Sequence, residues 1–310
     1  MVRSGFREGV HHGSVVLLDA AGGVLRHVGE VHRPMMPRSA NKPLQALAML
    51  RAGLPLADDA DLAIVCASHN GEPEHVERAL RVLGGAGLTE DDLRCPPDLP
   101  LHQPSARRVL AAGGHPRRAF MNCSGKHAGM LATCVARGWS RPDYPDPAHP
   151  LQAAIATALS TAAGEPVAAT AVDGCGAPLF AVSLAGLARA FAGLVTATPG
   201  TARRRVADAM RAHPYLVAGS GREDTRLMAA VPGLLCKSGA EGVQAAALPD
   251  GRAVALKIDD GANRARLPVM VAALRLLGAD SPALAELAEE PVLGGGRVVG
   301  CARLIDGALG

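Results

Sequence analysis

The spacing of apolar positions changes character twice along this chain. Near the start, Ser14-Val-Val-Leu-Leu-Asp19 is an apolar run, followed by a Gly22-Gly23 turn and a second segment over 24–32. This predicts a β-hairpin, because paired glycines supply the positive φ angles a tight turn needs. The same grammar returns at 242–248, Pro249-Asp-Gly251 and 253–258, predicting a second hairpin. Between the two, helical spacing punctuated by Gly or Pro predicts helices over 43–51, 74–83, 105–112, 126–137, 151–163, 179–191 and 201–212, and one more over 263–277 follows. A short apolar run at 62–66 reads as a strand. Strands at both ends with helices between them predict an α+β fold, one antiparallel sheet assembled from the two termini with an inserted helical lobe. The sheet lobe falls at about 10–38 and 232–305 and the helical lobe at about 39–231, within a single domain over 1–310. The junction of the lobes is the natural place for a site. The Pro-rich stretches at 95–100 and 141–147 read as surface loops.

Composition narrows the function classes. Hydrophobic residues are 48% of the 310, ample for a core, but aromatic residues are only 2%, so that core must be built from Ala, Val and Leu. A formal charge of +3 excludes an electrostatic case for nucleic acid. Basic clusters such as Arg203-Arg204-Arg205 read as solvated helix faces. No secretory-type or membrane-spanning apolar run is present, so the expectation is a cytoplasmic protein with no membrane partner. Seven cysteines, an odd number, argue for thiols rather than a disulfide framework. Cys66, Cys95, Cys134, Cys236 and Cys301 need no role beyond packing.

The candidate chemistry starts at Ser39-Ala-Asn-Lys42. An amine three residues after a hydroxyl lies on the same helical face, and a serine needs such a base before it can act as a nucleophile. A lysine serves as that base only where burial or nearby positive charge favours its neutral form. Pro43 is compatible with a helix starting here, with Ser39 at or near its N-cap. Ser68-His-Asn-Gly-Glu72 follows the predicted strand at 62–66, and Lys237-Ser-Gly239 precedes the second hairpin. In chain order these fragments give S-x-x-K, S-x-N and K-S-G, which resembles the motif set of serine penicillin-binding enzymes, β-lactamases and glutaminases. Asn122-Cys-Ser-Gly-Lys-His127 and Asp173-Gly-Cys-Gly176 place Cys123 and Cys175 in Gly-rich loops at predicted helix starts, where a thiolate is favoured. Two thiolates with a nearby amine or imidazole could complete a zinc shell, and spacing alone nominates His127 as the nitrogen ligand.

Taken together, Arg38-Ser-Ala-Asn-Lys-Pro-Leu-Gln45, the Ser68 and Cys123 motifs, Asp173-Gly-Cys-Gly-Ala-Pro178 and Lys237-Ser-Gly-Ala-Glu-Gly242 resemble the rhizobial-type L-asparaginase II family over nearly the whole chain. The resemblance implies a fold similar to serine β-lactamases and glutaminases. It implies two serine–lysine tandems, Ser39 with Lys42 and Ser68 with Lys237, and a zinc ion held by Cys123, Lys126 and Cys175. His127 then moves to substrate contact, alongside Arg38 and Asp173. The implied reaction is hydrolysis of L-asparagine to L-aspartate and ammonia, in a protein whose usual form is a homodimer. Which serine becomes acylated stays open. A glutaminase or β-lactamase-like serine hydrolase is the alternative enzyme, and a catalytically silent zinc-dependent binding protein is the alternative of another class.

Overall fold

The computed structural model describes residues 1–309. Its centre is a five-stranded antiparallel sheet in the order Val24–Val28, Gly13–Leu18, Ala253–Ile258, Val243–Ala247, Leu235–Ser238. The N-terminal hairpin lies directly against the C-terminal one, with Val16 opposite Ala255 and Leu18 opposite Ala253. Both hairpins and the sheet built from the two chain ends are therefore as the apolar pattern predicts. The inner strands are buried along nearly their whole length, the signature of a sheet covered on both faces. The helices Leu184–Val195 and Arg266–Leu276 pack on it. Small residues such as Ala245, Ala246 and Ala255 let these layers approach closely without aromatic filler.

A second antiparallel sheet joins the extreme termini, in the order Glu290–Gly294, Arg297–Ala302, Val2–Arg3, Phe6–Arg7. Its strands are short and largely exposed, and their weak apolar pattern explains why the sequence does not announce them.

The helical lobe surrounds Lys42–Arg51, which is buried from Lys42 to Met49. Two predicted elements are corrected. The run at 62–66 belongs to a helix, Asp59–Val65, whose N-terminus Asp58 caps through the Asp61 amide; a short apolar run carries no period to separate strand from buried helix. The segment predicted as helix from 179 begins as two strands, Pro178–Phe180 and Val182–Ser183, and the helix starts at Leu184, capped by Ser183 on the Gly186 amide. The loop at 141–147 is also not wholly superficial, since Tyr144 is fully buried. No helix among the described residues is long and apolar enough to cross a membrane.

Candidate active site

The segment bearing Ser39 is a 3-10 helix, Arg38–Asn41, that runs into Lys42–Arg51. Ser39 thus lies inside a tight turn rather than at an N-cap, and its half-buried hydroxyl makes no hydrogen bond among the described residues. The turn opens on Arg38 at φ 49°, left-handed backbone that is costly for a side-chain-bearing residue and that tends to occur at functional sites. Arg38 is tied there by Asp173, Nε to Oδ1 at 2.9 Å. The strand carrying Lys237 approaches this turn through Gly239, where a Cβ would sit 2.6 Å from the Pro37 carbonyl oxygen. Any larger residue in the K-S-G motif would push the sheet away from the serine–lysine turn.

Lys42 does not reach back to Ser39. Its Nζ donates to the Ala67 carbonyl and to Ser68 Oγ, the latter at 3.0 Å, with both residues buried. Ser68 leaves the end of Asp59–Val65 in a loop fastened on two sides. Its amide donates to the Val217 carbonyl, and the next amide, of His69, donates to Asn122. Burial above all holds His69 neutral, well below its ordinary pKa. Its Nδ1 accepts from the Gly71 amide, so Nε2 carries the proton and donates to Ser124 Oγ at 2.9 Å. Ser124 begins the helix Ser124–Arg137, which also carries Lys126 and His127. That helix crosses Asp59–Val65 at Gly125, where a Cβ would lie 2.3 Å from the Ile64 carbonyl oxygen. The glycine thus brings the Cys123–His127 segment against the Ser68 loop.

Lys237, which the family pattern couples to Ser68, bonds instead to Asp224, Nζ to Oδ2 at 3.1 Å, both fully buried. Asp224 also accepts from the Ser238 amide, the Ser238 hydroxyl and Gln244 Nε2. Burial opposes its charge, but Lys237 and the Ser238 bonds outweigh that and hold it well below the carboxylate range. Lys237 is drawn below the usual lysine value, first by burial and then by the charge of Lys42, against the pull of Asp224. Lys237 thus has a carboxylate on it and a second amine, Lys42, near enough for its charge to be felt. Asp224 carried no sequence signal: it lies in an unremarkable Arg222-Glu-Asp224 helix start, 13 residues before its partner.

The thiols meet on the other side of the Ser68 loop. Cys123 caps Ser124–Arg137, whereas Cys175 sits in the turn of the hairpin Thr170–Val172 and Pro178–Phe180, not at a helix start. Cys175 is held far below the ordinary thiol range by the neighbouring Cys123 and Lys126, whereas the same thiol pairing and burial raise Cys123, whose Sγ donates to Asn122 Oδ1 at 3.3 Å. Lys126 Nζ lies 2.9 Å from Cys175 Sγ. Burial lowers its pKa, but the two sulfurs and Asp173 reverse this and leave it raised. Tyr144 accepts from the Arg94 amide and gives its own proton to His127 Nδ1 at 2.5 Å. Neutral His127 therefore carries its proton on Nε2, a buried atom with no hydrogen-bond partner. In that tautomer Nε2 has no lone pair for a metal. No group of three His, Cys, Asp or Glu side chains among the described residues is arranged to hold a metal. A zinc ion here would need Lys126 with Cys123 and Cys175, and two sulfurs with one amine in contact fit a tetrahedral shell with one position open.

Of the ten predicted site residues, the structure pairs Lys42 with Ser68, Lys126 with Cys175 and Arg38 with Asp173, puts Lys237 on Asp224 and His127 on Tyr144, and gives the Ser39 hydroxyl no partner among the described residues. An apolar cavity of about 560 Å³ lies elsewhere, lined by Val2, Val15, Ile258, Pro268 and Leu304, and contains none of them.

A family model described as L-asparaginase II matches residues 1–304. No curated protein matches the chain closely enough to count as a relative. Among solved structures, a β-lactamase from Mycobacterium bovis is similar at 16% identity and a TM-score of 0.48, over 89% of this chain and 95% of that one. Mglu in its native form is similar at 17% identity and a TM-score of 0.37, over 86% of this chain and 63% of its own length. Its tris and glutamate form gives 18% identity and 0.38, over 86% and 58%.

Proposed function

Because the chain belongs to the L-asparaginase II family, with amidohydrolase chemistry of the asparaginase type, we propose that it hydrolyses L-asparagine with Ser68 as nucleophile and Lys42 as its base. The observation that carries this is the buried Lys42–Ser68 contact of 3.0 Å, the hydrogen-bond reach a nucleophile and base require. Ser68 Oγ attacks the side-chain amide carbon, and its proton passes to Lys42 Nζ. That proton then goes to the departing nitrogen, which leaves as ammonia. Water hydrolyses the ester in the reverse sense and releases L-aspartate.

Contact geometry supports Lys42 as the base, since its Nζ meets Ser68 Oγ, whereas Lys237 Nζ is engaged by Asp224 at 3.1 Å and by the Ser238 carbonyl. Ser39, with its unpartnered hydroxyl, is a second hydroxyl available to the substrate or to the returning proton.

We further propose zinc on Cys123, Lys126 and Cys175. When bound it would supply a Lewis-acidic position for a substrate amino or carboxylate group. His127 Nε2–H is then a donor toward the same region, held in that tautomer by Tyr144. The test is ammonia release by purified, zinc-supplied protein from L-asparagine, L-glutamine and a chromogenic β-lactam in parallel. Release from asparagine well above the other two is expected; none from asparagine would overturn the reading.

A further inference from the structure

A substrate that is an α-amino acid brings a carboxylate into this buried site, and a planar guanidinium is the side chain best matched to it. Three arginines border the serine–lysine cluster. Arg38 is engaged by Asp173 at 2.9 Å and Glu241 at 3.5 Å. Arg266 is engaged by Glu223 at 3.0 Å and the Gly239 carbonyl. Arg222 makes no ion pair among the described residues. Its one partner is a neutral oxygen, Asn70 Oδ1, 3.2 Å from Nη1. The adjacent Asp224 feels the Arg222 charge, but its oxygens are taken by Lys237, Ser238 and Gln244 and it makes no ion-pair contact with Arg222.

Arg222 is also fixed to the nucleophile loop. The chain over 217–222 runs beside 68–72, stitched by Ser68 N to Val217 O at 3.0 Å, Asn70 N to Ala218 O at 2.8 Å, Asn70 Nδ2 to Ser220 O at 3.1 Å and Ser220 N to Glu72 Oε2 at 2.9 Å. Ser68 and Arg222 therefore belong to one braced unit. The guanidinium adds to burial in lowering both His69, next to Ser68, and Lys237. Its charge is thus felt inside the cluster.

Resting on the asparaginase reading above, we propose that Arg222 receives the substrate α-carboxylate and makes the enzyme selective for amino-acid amides over amides that lack that group. Arg38, held by two carboxylates, instead braces the turn that carries Ser39.

The test compares L-asparagine with 3-aminopropanamide, which keeps the amide and amine but lacks the carboxylate, in wild-type, Arg222→Gln, Arg222→Lys and Arg38→Gln proteins supplied with zinc. Arg222→Gln should raise KM for asparagine about 100-fold, the scale of a lost charged hydrogen bond, with kcat little changed and 3-aminopropanamide turnover unaffected. Arg222→Lys should recover part of the preference. Equal loss on both substrates would assign Arg222 a purely structural role and overturn the proposal. So would an unchanged asparagine KM, or loss of the preference in Arg38→Gln alone. Should Arg222→Gln fold poorly, L-aspartate binding to Arg222→Lys by calorimetry decides, since affinity equal to wild type overturns the assignment. Wild-type protein that releases ammonia from neither amide overturns the asparaginase reading and this assignment with it, a result distinct from an active wild type and an unaltered variant.

Discussion

Lys237 and Lys126 are both shut away from solvent, at 0% and 1% exposure, yet their surroundings push the two amines in opposite directions. Lys237 has one carboxylate partner and the Lys42 amine nearby, and its pKa falls, with burial the leading cause. Lys126 faces two sulfurs and Asp173, and its pKa rises in spite of burial. Burial therefore sets the stakes, and the count of opposite charges decides the outcome. The thiol cluster is an ion pair of Cys175 with Lys126, and a zinc ion displacing the protons of both Lys126 and Cys123 would leave its net charge unchanged.

The largest expected effect separates the two serines. Ser68→Ala should lower kcat/KM for asparagine by about 10⁴-fold or more, as for loss of a nucleophile, while Ser39→Ala should cost about 10–100-fold, the scale of a proton relay. Equal losses would dissolve the distinction drawn from the Lys42–Ser68 bond.

Next is the buried ion pair. Asp224→Asn or Lys237→Met alone should destabilise the protein by about 3–5 kcal/mol, because each leaves a buried charge without its partner. The double variant should recover part of that loss in urea unfolding. Because Asp224 has a folded pKa below its ordinary 3.8, its contribution is fully present above that pH and fades as pH falls toward the depressed value. The stability gap between wild type and Asp224→Asn should therefore be constant from pH 5 to 7 and shrink below about pH 4. A gap that grows on acidification would contradict the assignment of charge.

In the thiol cluster, zinc at about 100 times its Kd should add about 2.7 kcal/mol to stability. One equivalent per chain should be retained, and Cys175→Ser should abolish both effects. Zinc retained equally by Cys175→Ser would place the metal elsewhere. The smallest effect is Tyr144→Phe, which removes the proton donor to His127 Nδ1 and should cost about 1 kcal/mol. It should also free the imidazole to change tautomer, seen as a shifted histidine nitrogen signal in NMR; an unshifted signal would remove Tyr144 from this role.

Much of this arrangement was legible in the chain because its parts are local. The hairpins at 13–28 and 243–258 are written in turn residues and apolar runs, and Ser39, Lys42, Ser68 and Lys237 stand in short motifs. The partner choices were not legible, because they depend on contacts across the sequence. Lys42 reaches 26 residues to Ser68, and Cys175 lies 49 residues from Lys126. Asp224 and Tyr144 had no motif to mark them, and Tyr144 was hidden in a Pro-rich stretch that reads as surface. A buried carboxylate search could have found Asp224 only once the fold had put it beside Lys237. The run at 62–66 was misread for a related reason, since a helix buried on all sides loses its polar face and with it its period.

The most direct test is to trap the covalent intermediate with a slowly hydrolysed asparagine ester analogue and locate the added mass by peptide mass spectrometry. The adduct should fall on the peptide containing Ser68, persist in Ser39→Ala and vanish in Ser68→Ala. An adduct on Ser39, retained in Ser68→Ala, would contradict the claim that the Lys42–Ser68 pair is the catalytic engine of this site.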